Sequence, residues 1–355
     1  MLAANGCAVE RLVEPARPPR HAARAGAVAS SYADIIAGAG FLDREYLLER
    51  ARAWDAVFDA KQPLAVVSES SPFLSVAKQG EAVPLLVTGH GFALPPPHLP
   101  FFPRLTDREP LCDQAQLLQV VADVRRARSQ SLPVTLPGFL AGPRHLVTGF
   151  DALDPYRPQR VLNNCGPLEL DAHYAELAPI DDLFAYLLGD RQLTLPLLAS
   201  LVRCGARGRV FVRRGTAEQR ALTVGSQLTW LEEPAEIAGA LERARLVVHH
   251  GSMLLTEEAL VAGRPQAIAP LYLEHVLTAR ALQELGVATV LPSRSPVELA
   301  AALRAALDND VQFQCARSWA ALHAREPQPN AERVFAETVV GRHLTDPSHA
   351  ISSEQ

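Results

Sequence analysis

The chain has 355 residues, enough for two domains of ordinary size, and its 48% hydrophobic and 21% charged residues are typical of a globular protein. A formal net charge of −5 argues against a nucleic-acid binder that relies on phosphate neutralisation. No apolar run approaches the roughly 20 residues that a membrane-spanning helix needs. The five cysteines are scattered without a Cys-x-x-Cys pair, so we expect a cytoplasmic protein with neither a disulfide framework nor a cysteine metal site.

The first part of the chain alternates predicted helices with short apolar runs that are typical of buried strands. The pattern predicts helices over residues 30–37, 43–60, 73–78 and 113–128, and strands over residues 7–13, 64–67, 84–87 and 146–148. Glu69 follows the second of these strands, and His90 follows the third. An irregular, proline-punctuated stretch over residues 154–167 is the predicted linker to a second domain.

The second part of the chain alternates strand and helix more regularly. Strands are predicted over residues 182–187, 209–213, 228–231, 246–248, 266–269 and 289–291, and helices over residues 196–204, 235–244, 254–262, 276–286, 296–307 and 313–325. This alternation predicts a parallel, doubly wound sheet whose right-handed crossovers bring the turns after the strands to one edge. We expect α/β domains over residues 1–165 and 166–325, and a returning helix with a flexible tail over residues 326–355.

A tight polar turn, His249-His250-Gly251-Ser252, joins the strand over residues 246–248 to the helix that follows it. Gly263 stands where that helix needs a C-terminal residue with positive φ. Such a turn points free backbone N–H groups and the positive end of the helix at one spot. The sequence therefore predicts an anion-binding site here.

Residues in and after this turn resemble, at the same spacing, the donor-binding signature of GT-B glycosyltransferases of the UDP-glycosyltransferase-like superfamily. The matching segments are His250-Gly251-Ser252, Glu258-Ala259-Leu260, Gly263-Arg264-Pro265-Gln266, Pro270 and Glu274-His275. Leu254 and Leu255 stand where the family usually has Gly-Thr, and His275 replaces the usual glutamine. The alternative interpretation is an ordinary α/β turn with a buried histidine.

The resemblance implies an α/β, GT-B fold, in which two Rossmann-like domains with doubly wound parallel sheets face each other across a cleft. It implies that His250 and nearby amides hold the diphosphate of a nucleotide sugar, that Glu258 binds its ribose hydroxyls, and that Glu274 with His275 binds the transferred sugar. Ser252 or Thr256 would supply the missing hydroxyl. The residues placed at the sugar donor are His250, Gly251, Ser252, Thr256, Glu258, Glu274, His275 and Trp230.

The roles of Trp230 and of the turn at Asp190 stay open. Trp230 lies where the family recognises the nucleotide base by ring stacking, but a tryptophan at a strand end is equally typical of a core residue. Asp190 follows the first strand of the second domain, where many relatives have a phosphate-binding turn. Because Asp190 would repel phosphate, no role is assigned to that turn.

The resemblance further implies that this chain lacks the first strand and Gly-rich loop of a GT-B fold, and with them the usual catalytic histidine. Glu69 and His90 are then the candidates for the catalytic base, since they follow strands whose carboxyl ends face a ligand. A histidine oriented by a carboxylate is a suitable base near neutral pH. The alternative is that Glu69 orients a histidine that is absent and that His90 lines the pocket.

The function implied by the resemblance is inverting transfer of a sugar from a nucleotide-diphosphate sugar to a small-molecule or lipid-like hydroxyl acceptor. No cofactor and no metal ion are expected, and no Asp-x-Asp motif of the kind that metal-dependent glycosyltransferases use is assigned to the donor site. We expect no nucleic-acid partner, and a peripheral contact with a membrane stays open. The alternatives are a non-catalytic protein that binds nucleotide sugars and a sugar-nucleotide epimerase.

Overall fold

The computed structural model describes residues 29–168, 170, 172–174, 178–291, 295–324 and 334. They form two compact units. The first contains the described residues up to Thr148 together with Tyr156–Asn164 and Val334, and the second contains Gly149–Pro155 and the described residues from Cys165 to Ala324. The strand predicted over residues 7–13, the N-terminal elements inferred to be missing and most of the predicted tail lie outside the described residues.

The first unit contains a parallel sheet with the strand order β1-β2-β3, formed by Val66–Glu69, Leu85–His90 and His145–Thr148. Its helices are α1 Tyr32–Ile36, α2 Arg44–Lys61, α3 Pro72–Lys78, α4 Gln114–Ala127 and α5 Leu136–Ala141. The side chains of Asp43 and Asp113 cap α2 and α4, which fixes where these helices begin. The core joins helix and strand residues: Phe58, Leu74, Leu85, Val87, Leu94 and Ala141.

The second unit contains a six-stranded parallel sheet with the order β6-β5-β4-β7-β8-β9. The strands are β4 Asp181–Leu188, β5 Gly208–Arg213, β6 Leu228–Leu231, β7 Ala244–His249, β8 Gln266–Ile268 and β9 Ala288–Val290. The helices are α6 Thr194–Arg203, α7 Ala217–Thr223, α8 Ile237–Arg243, α9 Met253–Val261, α10 Leu273–Glu284, α11 Pro296–Leu307 and α12 Asp310–His323. The α/β class with parallel, doubly wound sheets is confirmed.

The centre of this second sheet is buried on both faces. Leu183–Ala185 in β4 and Leu246–Val248 in β7 are fully buried, which explains why both strands are near-continuous apolar runs. The strand order reverses between these two strands: the chain builds outward from β4 through β5 to β6, and then from β7 to β9. In open α/β sheets, ligands bind outside the carboxyl ends of the strands at such a switch point.

Short helices account for most of the differences from the predicted elements. Helix α7 was not predicted, although Thr216 and Gln219 form a full capping box around its start. Helix α5 has proline at its second position and glycine at its third, so its sequence resembles a loop. In the part of the chain that the structure describes, no helix is both long and apolar enough to cross a membrane.

Candidate functional site

The candidate site lies at the switch point of the second unit. The turn after β4 and the turn after β7 are neighbours there, because these two strands pair in parallel from Asp181–Ala244 to Tyr186–His249. The turn after β7 leads into α9, and α10 begins beside it after β8. These elements bring together four ring or guanidinium groups: Arg191, His250, Tyr272 and His275.

His249 holds the backbone of the turn and does not face a ligand. It is 1% exposed, its Nδ1 accepts the Gly251 amide at 3.0 Å, and its Nε2 donates to Gln266 Oε1 at 2.9 Å. Gln266 in turn donates to the carbonyl of Thr256 at 3.1 Å. Burial lowers the pKa of His249 to about 3, with neighbouring histidines adding to the effect, so the ring is neutral.

Gly251 is required by the shape of this turn. Its φ is 97°, and a Cβ atom there would lie 3.1 Å from the Cβ of His275 and 3.2 Å from Ile268 Cγ2. Its amide donates to His249. The proposed contact between this amide and a phosphate stays a prediction.

The amino end of α9 is open. Its first internal hydrogen bond runs from Thr256 N to the carbonyl of Ser252 at 3.0 Å, so the amides of the three residues before Thr256 have no acceptor inside the helix. Ser252 is exposed at the N-cap, and its hydroxyl makes no capping bond. Amides and hydroxyl together can accommodate an anion.

His250 borders this open helix end. It is 4% exposed, and its Nδ1 donates to the carbonyl of Ala269 at 3.0 Å. Its Nε2 is buried and has no hydrogen-bond partner among the described residues. Burial lowers the pKa of His250; the Ala269 bond opposes the shift, and the Arg191 charge adds to it. The motif in the sequence selected His250 rather than His249, and His250 is the one with a ring nitrogen that has no hydrogen-bond partner among the described residues.

His275 and Tyr272 lie on the other side of the turn. His275 Nδ1 accepts the amide of Leu271 at 3.4 Å, and its ring meets that of Tyr272 edge-on with centroids 5.1 Å apart. Burial, with the charges of His250 and Arg191, lowers its pKa to about 4. His275 is therefore neutral with its proton on Nε2, where it can donate to a ligand oxygen. Glu274, half-buried, lies beside it in the first turn of α10.

Two other predicted residues lie deeper than expected. Thr256 is fully buried one turn into α9, so its hydroxyl is not at the surface of the site. Glu258 is 3% exposed, and its Oε2 accepts the amide of Ala172 at 2.7 Å. A ligand hydroxyl that binds Oε2 of Glu258 would compete with the amide of Ala172. The neighbouring Glu257 is buried too and accepts the amide of Phe150 at 3.2 Å.

Arg191, which the sequence pattern did not indicate, stands in the turn after β4. Its guanidinium carbon lies 5.4 Å from the centre of the Tyr272 ring, and its charge acts on both His250 and His275. Asp190 pairs with Arg191 at 3.3 Å and with Arg214 at 3.5 Å. Two arginines therefore offset the negative charge of this carboxylate, which the expected repulsion of phosphate by Asp190 did not take into account. The adjacent arginine in the sequence was the available signal.

Trp230 lies near the end of β6 and also packs against the hydrophobic core. It lies on β6, three strands away from β7, and packs against the main hydrophobic cluster of the unit. A Cβ on Gly215 would come within 2.7 Å of its ring, so the turn after β5 is built around this indole. Its packing supports the core interpretation, and a stacking role for its partly buried edge stays a prediction.

Glu69 and His90 are both at the carboxyl edge of the first unit's sheet. Glu69 ends β1 opposite Thr88, and His90 ends β2 opposite Thr148. Glu69 is exposed and His90 half-buried, with its ring stacked on Phe92 at 6.5 Å between centroids. The edge placement that the sequence predicted is therefore present, and the catalytic role of either residue stays a prediction.

An Asp-x-Asp triplet, Asp308-Asn309-Asp310, does occur in the sequence, in the turn between α11 and α12. Asp310 pairs with Arg245 at 2.6 Å, at the amino end of β7 and so at the edge opposite the candidate site. Among the described residues, no group of three or more histidine, cysteine, aspartate or glutamate side chains is arranged to hold a metal ion.

Comparison with known proteins shows similarity at the level of structure. No family model matches the chain, and no curated protein matches it. It is similar to the calicheamicin glycosyltransferase CalG4, with a TM-score of 0.61 and 17% identity over 88% of this chain and 84% of that chain. It is also similar to glycosyltransferase VinC in complex with DTDP, with a TM-score of 0.54 and 17% identity over 84% and 81%.

A third similar structure is the spinosyn rhamnosyltransferase SpnG complexed with spinosyn aglycone, with a TM-score of 0.57 and 14% identity over 83% of this chain and 81% of that chain. These neighbours are glycosyltransferases, and identities of this size establish the fold alone. The chain therefore has the GT-B fold that the sequence motif implied.

Proposed function

We propose that this protein transfers a sugar from a nucleotide-diphosphate sugar to a hydroxyl acceptor. The observation that carries the proposal is the unpartnered, buried Nε2 of His250 beside the open amino end of α9, at the switch point of a doubly wound sheet. The oxygens of a diphosphate can accept hydrogen bonds from the helix amides and, once Nε2 carries a proton, from His250. A GT-B fold with glycosyltransferase neighbours supports the same assignment.

The reaction we propose is an inverting displacement. The acceptor oxygen attacks the anomeric carbon as the bond to the diphosphate breaks, and a base takes the acceptor proton. Charge grows on the departing diphosphate, where His250, when protonated, and the helix amides stabilise it without a metal ion. His90 and Glu69 are our candidates for the base, because both end strands at the carboxyl edge of the first sheet.

We assign the remaining donor contacts to residues of α9 and α10 and to the residue that caps α9. Ser252 would bind a phosphate oxygen, and Glu274 with the Nε2–H of His275 would bind the transferred sugar. Glu258 would bind the ribose hydroxyls in competition with the amide of Ala172. VinC with DTDP and SpnG with an aglycone suggest a nucleotide sugar and a small-molecule acceptor for this chain as well. We propose a cytoplasmic location, in line with the scattered cysteines.

The test combines binding with turnover. Thermal shifts are recorded with a panel of nucleotide sugars and nucleoside diphosphates, for the wild type and His250→Ala. A ligand at 100 times its Kd stabilises the fold by about 2.7 kcal/mol, and we expect that shift to disappear in His250→Ala. Product formation from the selected sugar donor and a mixture of hydroxyl acceptors is then measured by mass spectrometry.

Each outcome discriminates between functions. Acceptor-dependent product supports glycosyl transfer, and its anomeric configuration, determined by NMR, tests inversion. Conversion of the sugar donor without an acceptor would instead indicate an epimerase. Binding without any turnover would indicate a non-catalytic nucleotide-sugar-binding protein. If His250→Ala shifts and turns over like the wild type, the site assignment is wrong.

A further inference from the structure

Among the described residues, the guanidinium charge of Arg191 acts on both histidines of the candidate site, His250 and His275. It lies against the ring of Tyr272, which contacts His275, and the backbone of Gly251 packs on His275 in turn. Its Nε is buried and, within the described residues, has no hydrogen-bond partner of good geometry; Asp190 Oδ1 lies 3.3 Å away as an ion pair. The ring of Tyr272 and the carboxylate of Asp190 therefore hold the Arg191 side chain in place, while its Nε–H group has no hydrogen-bond acceptor among the described residues.

We propose that Arg191 binds the diphosphate of the nucleotide-sugar donor. This inference rests on the proposed function, since it assigns a further residue to the same site. The positive charge of Arg191 favours the dianionic diphosphate of the ligand over its neutral sugar or base. A planar guanidinium matches two phosphate oxygens at once.

The turn that carries Arg191 is fixed by its surroundings. Gly189 packs so tightly that a Cβ there would lie 2.3 Å from the carbonyl oxygen of Arg214, and Gln219 Nε2 donates to the Gly189 carbonyl at 2.8 Å. The Thr194 amide donates to the carbonyl of Arg191 at 3.0 Å, where α6 begins. The backbone position of Arg191 is thus set before any ligand arrives.

The charges of this turn sum to a cationic site. Asp190 carries one negative charge and pairs with two arginines, Arg191 and Arg214, which leaves one net positive charge. These side chains are partly exposed, so the pairs are weak and a diphosphate can compete with Asp190 for Arg191. The α9 terminus adds only about half a charge. Arg191 is therefore the main source of attraction for a dianion.

The test compares Arg191→Gln with a matched control, Arg243→Gln. Arg243 pairs with Asp181 at the opposite end of β4, so its removal subtracts the same charge from the same unit at the other edge of the sheet. The affinities for dTDP and UDP are measured by calorimetry at several salt concentrations. We expect Arg191→Gln to weaken binding by about 10- to 100-fold, with a shallower dependence on salt and unchanged thermal stability without ligand.

The conservative variant separates charge from geometry. Arg191→Lys should recover part of the affinity and the full salt dependence, because lysine keeps the charge without the planar fork. Equal diphosphate binding by wild type and Arg191→Gln would overturn the inference and leave the proposed function standing. An equal loss in Arg243→Gln would overturn it too. If the wild type binds neither dTDP nor UDP, the proposed function fails, and this inference fails with it.

Discussion

Binding of a nucleotide sugar should be coupled to protonation of His250. In the ligand-free structure Nδ1 donates to the Ala269 carbonyl, so a neutral ring presents a bare lone pair at Nε2. A diphosphate only accepts hydrogen bonds near neutral pH. The two groups repel until a proton is added to Nε2, and we therefore expect the complex to hold one more proton than the free protein.

The size of this effect follows from the ring's surroundings. Burial holds the pKa of free His250 below its ordinary value of 6.5. An opposite charge at about 4 Å, in the effective dielectric near a protein surface, contributes about 4 kcal/mol, or a roughly thousandfold gain in proton affinity. The bound diphosphate therefore favours the protonated ring. At pH values where the free ring is neutral and the bound ring is protonated, affinity should fall about tenfold for each pH unit of increase, and we measure it from pH 6.5 to 8.5.

The measurement is calorimetry with a nucleotide sugar in two buffers that differ in ionisation enthalpy, which counts the protons taken up. A nucleotide sugar is preferable to a free diphosphate, whose terminal phosphate itself titrates near pH 6. His250→Gln should bind with no proton uptake and with an affinity independent of pH. His275→Gln is the control, since the neutral His275 already carries its proton on Nε2. Flat affinity in the wild type over this range, or uptake that persists in His250→Gln, would refute the reasoning.

Two further predictions concern stability and turn geometry. Burial, with the neighbouring Glu258, raises the pKa of Glu257 from 4.5 to about 7, so stability is lost as pH rises from 4.5 to 7. Glu257→Gln should remove that loss and raise the free energy of unfolding at pH 8 by up to about 3 kcal/mol in urea titrations; unchanged pH dependence would contradict this. Gly251→Ala should lower the melting temperature more than Gly225→Ala and weaken donor binding, because Gly225 also has positive φ but has nothing within 4 Å. Equal losses would show that the contact with His275 does not matter.

The sequence predicted the strand, turn and helix of the candidate site because the local pattern is complete there. A buried strand, a polar turn with a glycine and a helix determine an open amino end without help from the rest of the chain. The choice of His250 over His249 came from the spacing of the motif. The structure supports that choice by showing His249 saturated by Gly251 and Gln266.

What the sequence did not predict depends on contacts between distant segments. Arg191 reaches the site because β4 pairs with β7, whose residues come about 60 positions later in the chain. The local sequence predicts that Asp190 repels phosphate, because its partner Arg214 follows a different strand and is not visible in that segment. The burial of Glu258 depends on Ala172, 86 positions before it. Spacing along one segment carries no information about such pairs.

The hydrogen bonds of His249 and Gln266 hold the turn after β7 in one conformation, and this affects how the turn can bind different ligands. One imidazole links the Gly251 amide to Gln266, and Gln266 links β8 to the carbonyl of Thr256, so the turn is preorganised and needs no ligand to order it. Binding then avoids most of the entropy loss that a loose loop would incur. Leu254 is exposed and takes no part in these contacts, so substitutions there leave the turn intact. Under the proposed function, the same turn can serve sugar donors of different chemistry, with preference set by exposed side chains near it.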